Sequence, residues 1–170
     1  MLSIEKAKRE DARAAWEIRN TAVLNQCAGH YSGDALKVWT GGMLTEDFID
    51  HVEKHFYVAK YHHQVVGTGM INIDTGKIDA VFVHPNHMRK GIGRGIVTFL
   101  EEIALSHGLE TLNLESTLNA AAFYRACGFK GDEIATYVSP RGISLDCIPM
   151  IKDISPNNRL QPTSAAEAGR

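Results

Sequence analysis

The 170-residue chain has little of what would place it outside the ordinary globular class. No apolar stretch approaches the ~20 residues that span a bilayer. The opening MLSIEKAKRE is too charged for a secretory leader. There are only three cysteines, Cys27, Cys127 and Cys147. Their odd number and spacing argue against a disulfide frame or a metal site, and fit reduced thiols in a cytoplasmic protein. A formal net charge of −2 gives no reason to expect nucleic acid or an anionic membrane surface as partner. No internal repeat is present. The length suits one domain with a single core.

Two phosphate-binding signatures are also missing. The dinucleotide fingerprint counted from Gly91 and Gly93 needs a third glycine where Ile96 stands. The nucleoside triphosphatase loop needs Gly-Lys followed by Ser or Thr, and no such triplet occurs.

What is present lies between Lys77 and Lys130. Ile78, Ala80, Val81, Phe82 and Val83 form a nearly continuous apolar run, as in a strand covered on both faces. His84-Pro85-Asn86-His87 breaks it. Gly91, Gly93 and Gly95 follow, and Ile92, Ile96, Leu100 and Ile103 then recur at helical spacing. A helix therefore opens at the glycines and closes at Gly108, with His107 in its last turn. Its first amides are free and lie at the positive end of the dipole. Glycines let a pyrophosphate approach them, and Arg89, Lys90 and Arg94 add positive charge. The plainer alternative is that the glycines only permit close packing on a sheet.

The coarse order reads β–α–α–β–β–β–α–β–α–β–β. Ser3 to Arg9 forms the opening strand. Asp11 is the expected N-cap of a helix whose core side holds Ala15, Ile18 and Ala22, with Trp16 and Val23. Ala35 to Trp39 makes a second helix, and Thr45 starts a third short helical segment. Phe56 to Tyr61 and Val65 to Ile73 read as strands joined at His62-His63-Gln64; the paired histidines, taken as strand neighbours, point to opposite faces and hold no metal. Thr111 to Leu114 is the strand between the two glycine-rich halves. Glu133 to Ser139 and Ile143 to Ile151 form a closing hairpin through Pro140-Arg141-Gly142. Residues 1–153 make the domain and 154–170 a loose tail.

The resemblance enters with the motifs. Met88-Arg89-Lys90-Gly91-Ile92-Gly93 lies on the loop Gln/Arg-x-x-Gly-x-Gly/Ala. Thr117-Leu118-Asn119-Ala120-Ala121-Ala122-Phe123-Tyr124, then Gly128-Phe129, lies on a later Asn-Ala-x-x-Phe-Tyr and Gly-Phe pattern. With these the chain resembles the GCN5-related N-acetyltransferase (GNAT) superfamily, departing from it at Met88, where Gln or Arg is usual.

The resemblance implies an α/β (α+β) fold: a mixed central sheet of six to seven strands flanked by about four helices. It implies acetyl-CoA as donor and direct transfer to a primary amine of a small molecule or peptide, with a homodimer as a common family state. Main chain at Val81, Phe82 and Val83 would polarise the thioester and pair with the pantetheine arm beside a splayed strand. Met88, Arg89, Lys90, Gly91, Ile92, Gly93 and Arg94 would hold the diphosphate, and Asn119 another part of the same ligand.

Tyr124, placed on the helix that starts from Asn119, would protonate or hydrogen-bond the leaving thiolate. Asp79 and Glu115 are the candidate bases, His84 being more plausible as a loop histidine; an acceptor arriving neutral needs no base. His30, Tyr31 and Trp39, with Tyr137 and Asp146, would border the acceptor, Trp39 also fitting a core position. A non-catalytic acyl-CoA-binding module and an unrelated nucleotide-binding α/β protein remain as alternatives.

Overall fold

The computed structural model describes residues 1–139 and 142–159. The elements run β1 (Leu2–Lys6), a 3-10 turn (Arg9–Asp11), α1 (Ala12–Gln26), α2 (Gly33–Thr40), α3 (Glu46–His55), β2 (Phe56–Tyr61), β3 (Gln64–Asn72), β4 (Lys77–Val83), a 3-10 turn (Pro85–His87), α4 (Ile92–Ser106), β5 (Thr111–Thr117), α5 (Ala121–Ala126), β6 (Ala135–Val138), β7 (Ser144–Asp153) and α6 (Pro156–Arg159). One seven-stranded sheet has the order β1-β2-β3-β4-β5-β7-β6. Its ladders are antiparallel except β4 against β5. Among the described residues no helix is long and apolar enough to cross a membrane.

Short polar side chains set the helix starts. Ser32 Oγ accepts from Ala35 N at 3.1 Å to open α2, and Thr45 Oγ1 accepts from Phe48 N at 3.2 Å to open α3. Glu46 and Asp47 sit in the first turn of α3 and Lys54 and His55 in its last, matching the helix dipole.

Asp11 does stand at the N-cap position of α1, but its side chain makes no capping hydrogen bond to that helix. It is buried, accepts from Lys8 N at 2.8 Å, and pairs with Lys60 Nζ at 3.2 Å. The carboxylate is spent on half-buried Lys60, and a 3-10 turn stands between β1, which stops at Lys6, and α1. His62 and His63 are not strand residues: with φ of 48° and 65° they form the two-residue turn between β2 and β3, where two left-handed positions match the strand twist. β5 runs on to Thr117, β6 is confined to Ala135–Val138, and β7 continues to Asp153. Pro140 and Arg141 of the expected turn lie outside the described residues. Of the expected tail, Ile154 is buried, Pro156–Arg159 forms a helical turn, and positions 160–170 lie outside the described residues.

The sheet is covered on both faces. On one, α4 lays Ile92, Ile96, Val97, Leu100 and Ala104 against Val66, Ile71, Ile78, Leu112, Leu114 and Met150. On the other, α1 and α3 bury Ala12, Ala15 and Val52 with Phe56 and Val58. This explains the unbroken apolar reading of β4.

The approach of α4 is very close at β3. A methyl placed on Gly69 would stand 2.5 Å from Ile96 Cγ2 and 3.1 Å from Leu100 Cδ1; at Gly67 it would stand 2.8 Å from Ile96 Cδ1. The Ile96 Cγ2 branch cannot swing away, whereas its Cδ1 end can. Gly69→Ala therefore destabilises by about 1–3 kcal/mol through overpacking, and Gly67→Ala by less. Urea unfolding midpoints at unchanged m-value check the order.

Candidate active site

The two central strands separate soon after they meet. β4 and β5 pair at one register position, Lys77 opposite Asn113, and then diverge, leaving that side of β4 open. A bulge on the other side produces the turn-away. The β3–β4 register shifts between Thr68, opposite Phe82, and Met70, opposite Asp79. Ala80 at the shift has φ of +52°, a conformation costing about 1–3 kcal/mol for a residue with a side chain. Two bonds hold it there. Buried Thr68 donates its hydroxyl to Ala80 O at 2.7 Å, and Asp79 Oδ1 accepts from Ala80 N at 2.8 Å. Bulges of this kind re-aim a strand beside a site.

A cleft of about 450 Å³ opens against this stretch. Trp39, Phe48, Phe56, Met70, Phe82 and Tyr137 form its apolar walls, and Arg19, His51, Lys77, Asp79 and Glu115 its charged and titratable lining. The structure thus brings together Asp79, Glu115, Trp39 and Phe82 from the sequence reading. Lys77 Nζ lies 3.7 Å from Glu115 Oε2, both being partly exposed, a loose pair of little energetic weight.

His51, Arg19 and Lys77 were missed. The signal for His51 was its three-residue spacing from Phe48, which puts both on one face of α3. Burial pushes the His51 imidazole below its ordinary value; the neighbouring His55 pushes the same way, and Asp79 opposes them.

The acceptor-side expectations need two corrections. His30 is exposed and outside the cleft lining. Tyr31 has a committed hydroxyl: it donates to Asp146 O at 2.6 Å and accepts from Leu118 N at 3.1 Å. Its ring meets Trp39 edge-on, centroids 5.6 Å apart. Tyr31 therefore ties the α1–α2 loop to the β5–α5 turn and to β7 and steadies Trp39, which does line the cleft. His84 Nδ1 accepts from Asn86 N at 3.1 Å and serves its own turn.

On the other side of the split, Val83 is buried and Val81 and Phe82 half-buried. α4 opens on Gly91 at φ +77° with no side-chain cap, unlike α2 and α3, so among the described residues no side chain claims its first amides. No atom lies within 4 Å of where a Gly91 Cβ would stand. Arg89, at φ +60°, and Lys90 are exposed. This donor set fits a diphosphate.

Ile92 is buried and can offer only main chain. Met88 turns its sulfur to α1, accepting from Gln26 Nε2 at 3.3 Å. At Gly93 a methyl would meet Phe123 Cζ at 3.2 Å, so part of the close-packing reading of the glycines also holds. Arg94 donates to Ala126 O at 3.2 Å, linking α4 to the end of α5.

Asn119 lies in the turn before α5 rather than on the helix, and its Oδ1 accepts from Cys27 Sγ at 3.4 Å. Tyr124 is half-buried between Phe123 and Phe129, at centroid distances of 5.0 and 5.8 Å. Its hydroxyl has no hydrogen-bond partner among the described residues. Burial pushes the phenol well above its ordinary value, with Asp79 and Cys127 adding to the rise. The three cysteines are buried and free; burial pushes Cys27 up to about 11 and raises Cys127 and Cys147 as well.

The model for the "Acetyltransferase (GNAT) family" matches residues 5–129. Glucosamine 6-phosphate N-acetyltransferase of Schizosaccharomyces pombe is 32% identical over 88 residues, 45% of this chain and 79% of that protein. A GCN5-related N-acetyltransferase from Rhodopseudomonas palustris superposes with a TM-score of 0.82 at 22% identity, covering 89% of this chain and 94% of that one. The PaiA N-acetyltransferase of Thermoplasma acidophilum, solved with coenzyme A, gives 0.69 at 16% identity over 90% and 99%. The two structures share the fold.

Thr68→Val removes the donor that holds Ala80 O and keeps the shape. Leaving that carbonyl unpaired lowers stability by about 1–3 kcal/mol, measurable by chemical denaturation, whereas Thr68→Ser keeps most of it.

Proposed function

The chain belongs to the GNAT acetyltransferase family, and from that premise we propose that it moves an acetyl group from acetyl-CoA to the primary amine of a small molecule by direct transfer. The observation that carries the reading is the single-register contact of β4 with β5, which opens strand main chain beside a cleft holding Asp79, Glu115 and His51. The uncapped first turn of α4, with Arg89, Lys90 and Gly91 around it, would hold the diphosphate of the donor. Main chain from Val81 to Val83 would lie along its arm. The donor supplies an activated acyl group as a thioester.

The apolar walls favour an acceptor with a flat or aliphatic body. Such a body buries about 25 cal/mol for each Å² of apolar contact, and its cationic end is attracted by aromatic faces and by Asp79 and Glu115. A volume of about 450 Å³ suits a small molecule or the end of a peptide.

Tyr124 acts here as a hydrogen-bond donor to the leaving sulfur rather than as a full proton donor. Its phenol is held above an ordinary value that already exceeds that of a thiol, so complete transfer runs uphill while a hydrogen bond does not. Direct transfer is favoured over a thioester on the enzyme because all three thiols are buried and held protonated, and the thiolate is the nucleophile.

Calorimetry with acetyl-CoA, NAD and ATP tests the donor, acetyl-CoA being the one expected to bind. With a panel of primary amines and thiol release as readout, Tyr124→Phe lowers kcat about 100-fold and leaves acetyl-CoA affinity unchanged. Full turnover in Tyr124→Phe removes Tyr124 from the mechanism, and tight binding of acetyl-CoA with no turnover on any amine supports a binding module instead.

A further inference from the structure

We propose that His51 is the catalytic residue that accepts the proton from the attacking amine; this rests on the acetyl-transfer reading above. The other charged groups lining the cleft are engaged or of the wrong sign. Asp79 accepts from Ala80 N at 2.8 Å and so holds the bulge. Glu115 faces Lys77 at 3.7 Å. Arg19 and Lys77 are cations and cannot take a proton. His51 is the one imidazole among the described lining residues of the cleft.

Its ring is exposed, tilted against His55 at 4.9 Å and edge-on to Phe56 at 5.6 Å, and no described residue hydrogen-bonds a ring nitrogen. Asp79, Glu115, Lys77 and Arg19 face the same cleft from β4, β5 and α1, while Lys54, His55 and Asp74 line an adjoining cleft that His51 also borders. The imidazole sits below its ordinary 6.5, chiefly through burial and secondly through His55. It is therefore neutral, and able to accept, at neutral pH.

The atoms balance with no further reactant. The amine lone pair forms the new C–N bond. The C–S bond breaks, and its electron pair stays on sulfur, which Tyr124 hydrogen-bonds. The proton lost by nitrogen passes to His51 and from there to water or the thiolate, restoring the imidazole. The products are an amide and a free thiol.

The sign of the pH dependence follows. Turnover is present above the His51 titration and falls as pH drops through it, whereas protonation of a free alkylamine near pH ~10 is read in kcat/KM rather than in kcat. Three measurements on the full chain test this: the pH profile of kcat, NMR titration of labelled histidine, and calorimetry with coenzyme A. His51→Gln is expected to lower kcat at pH 7 by about 100-fold, to abolish the acid limb, and to bind coenzyme A as the parent does. His55→Gln removes a neighbouring positive charge, so the NMR titration of His51 and the acid limb move together to higher pH.

A His51→Gln enzyme that binds coenzyme A and keeps both parental kcat and acid limb overturns the assignment. So does a limb that stays put while the His51 titration moves. A parent enzyme that releases no thiol with any amine overturns the acetyl-transfer reading itself, which coenzyme A calorimetry reports independently.

Discussion

The site depends on the hydrogen bonds that pin one residue, Ala80, in a left-handed conformation within β4. An alanine does not adopt φ of +52° without compensation, and here it comes from a buried threonine hydroxyl and an adjacent carboxylate. The resulting bulge swings β4 off β5 after a single paired position. A regular ladder would have satisfied every main-chain group and left no opening. The sheet gives up pairing between β4 and β5, where central pairing is normally complete.

Around that opening the two faces of the sheet have different duties. The α4 face is tight enough that Gly67 and Gly69 tolerate no side chain without displacing Ile96. This closeness sets where the uncapped N-terminus of α4 lies relative to the end of β4. The opposite face is looser: α1, α2 and α3 leave a cleft between aromatic walls. Tyr31 crosses that face, bonding to β7 and to the start of the β5–α5 turn, and it steadies Trp39 from behind. A tight face beside a roomier one accords with the proposed transfer between two bound molecules.

Burial also sorts the titratable groups. It raises the Tyr124 phenol and the cysteine thiols and lowers the His51 imidazole. In each case the charged form is the one that loses solvation. Asp79 bears on two of these groups, raising the Tyr124 phenol and partly restoring His51, while its own oxygen secures the bulge. One carboxylate thus couples backbone geometry to the protonation of both sides of the site.

What the sequence determined by itself was local and periodic. The spacing of Ile92, Ile96, Leu100 and Ile103 specified α4, the apolar run specified a strand covered on both faces, and the Gly91 and Asn119–Tyr124 patterns marked the family. These properties depend on neighbours a few residues apart. What only the tertiary structure decided involves partners far apart in the chain. The bulge needs Thr68 beside Ala80, and Asp11 is diverted from capping by Lys60. Tyr31 is drawn from the acceptor wall by carbonyl and amide groups on other elements, and His51 reaches the cleft because α3 docks beside β4. Periodicity fixes which face of an element is buried; which side chains meet across a gap is fixed only when the elements pack.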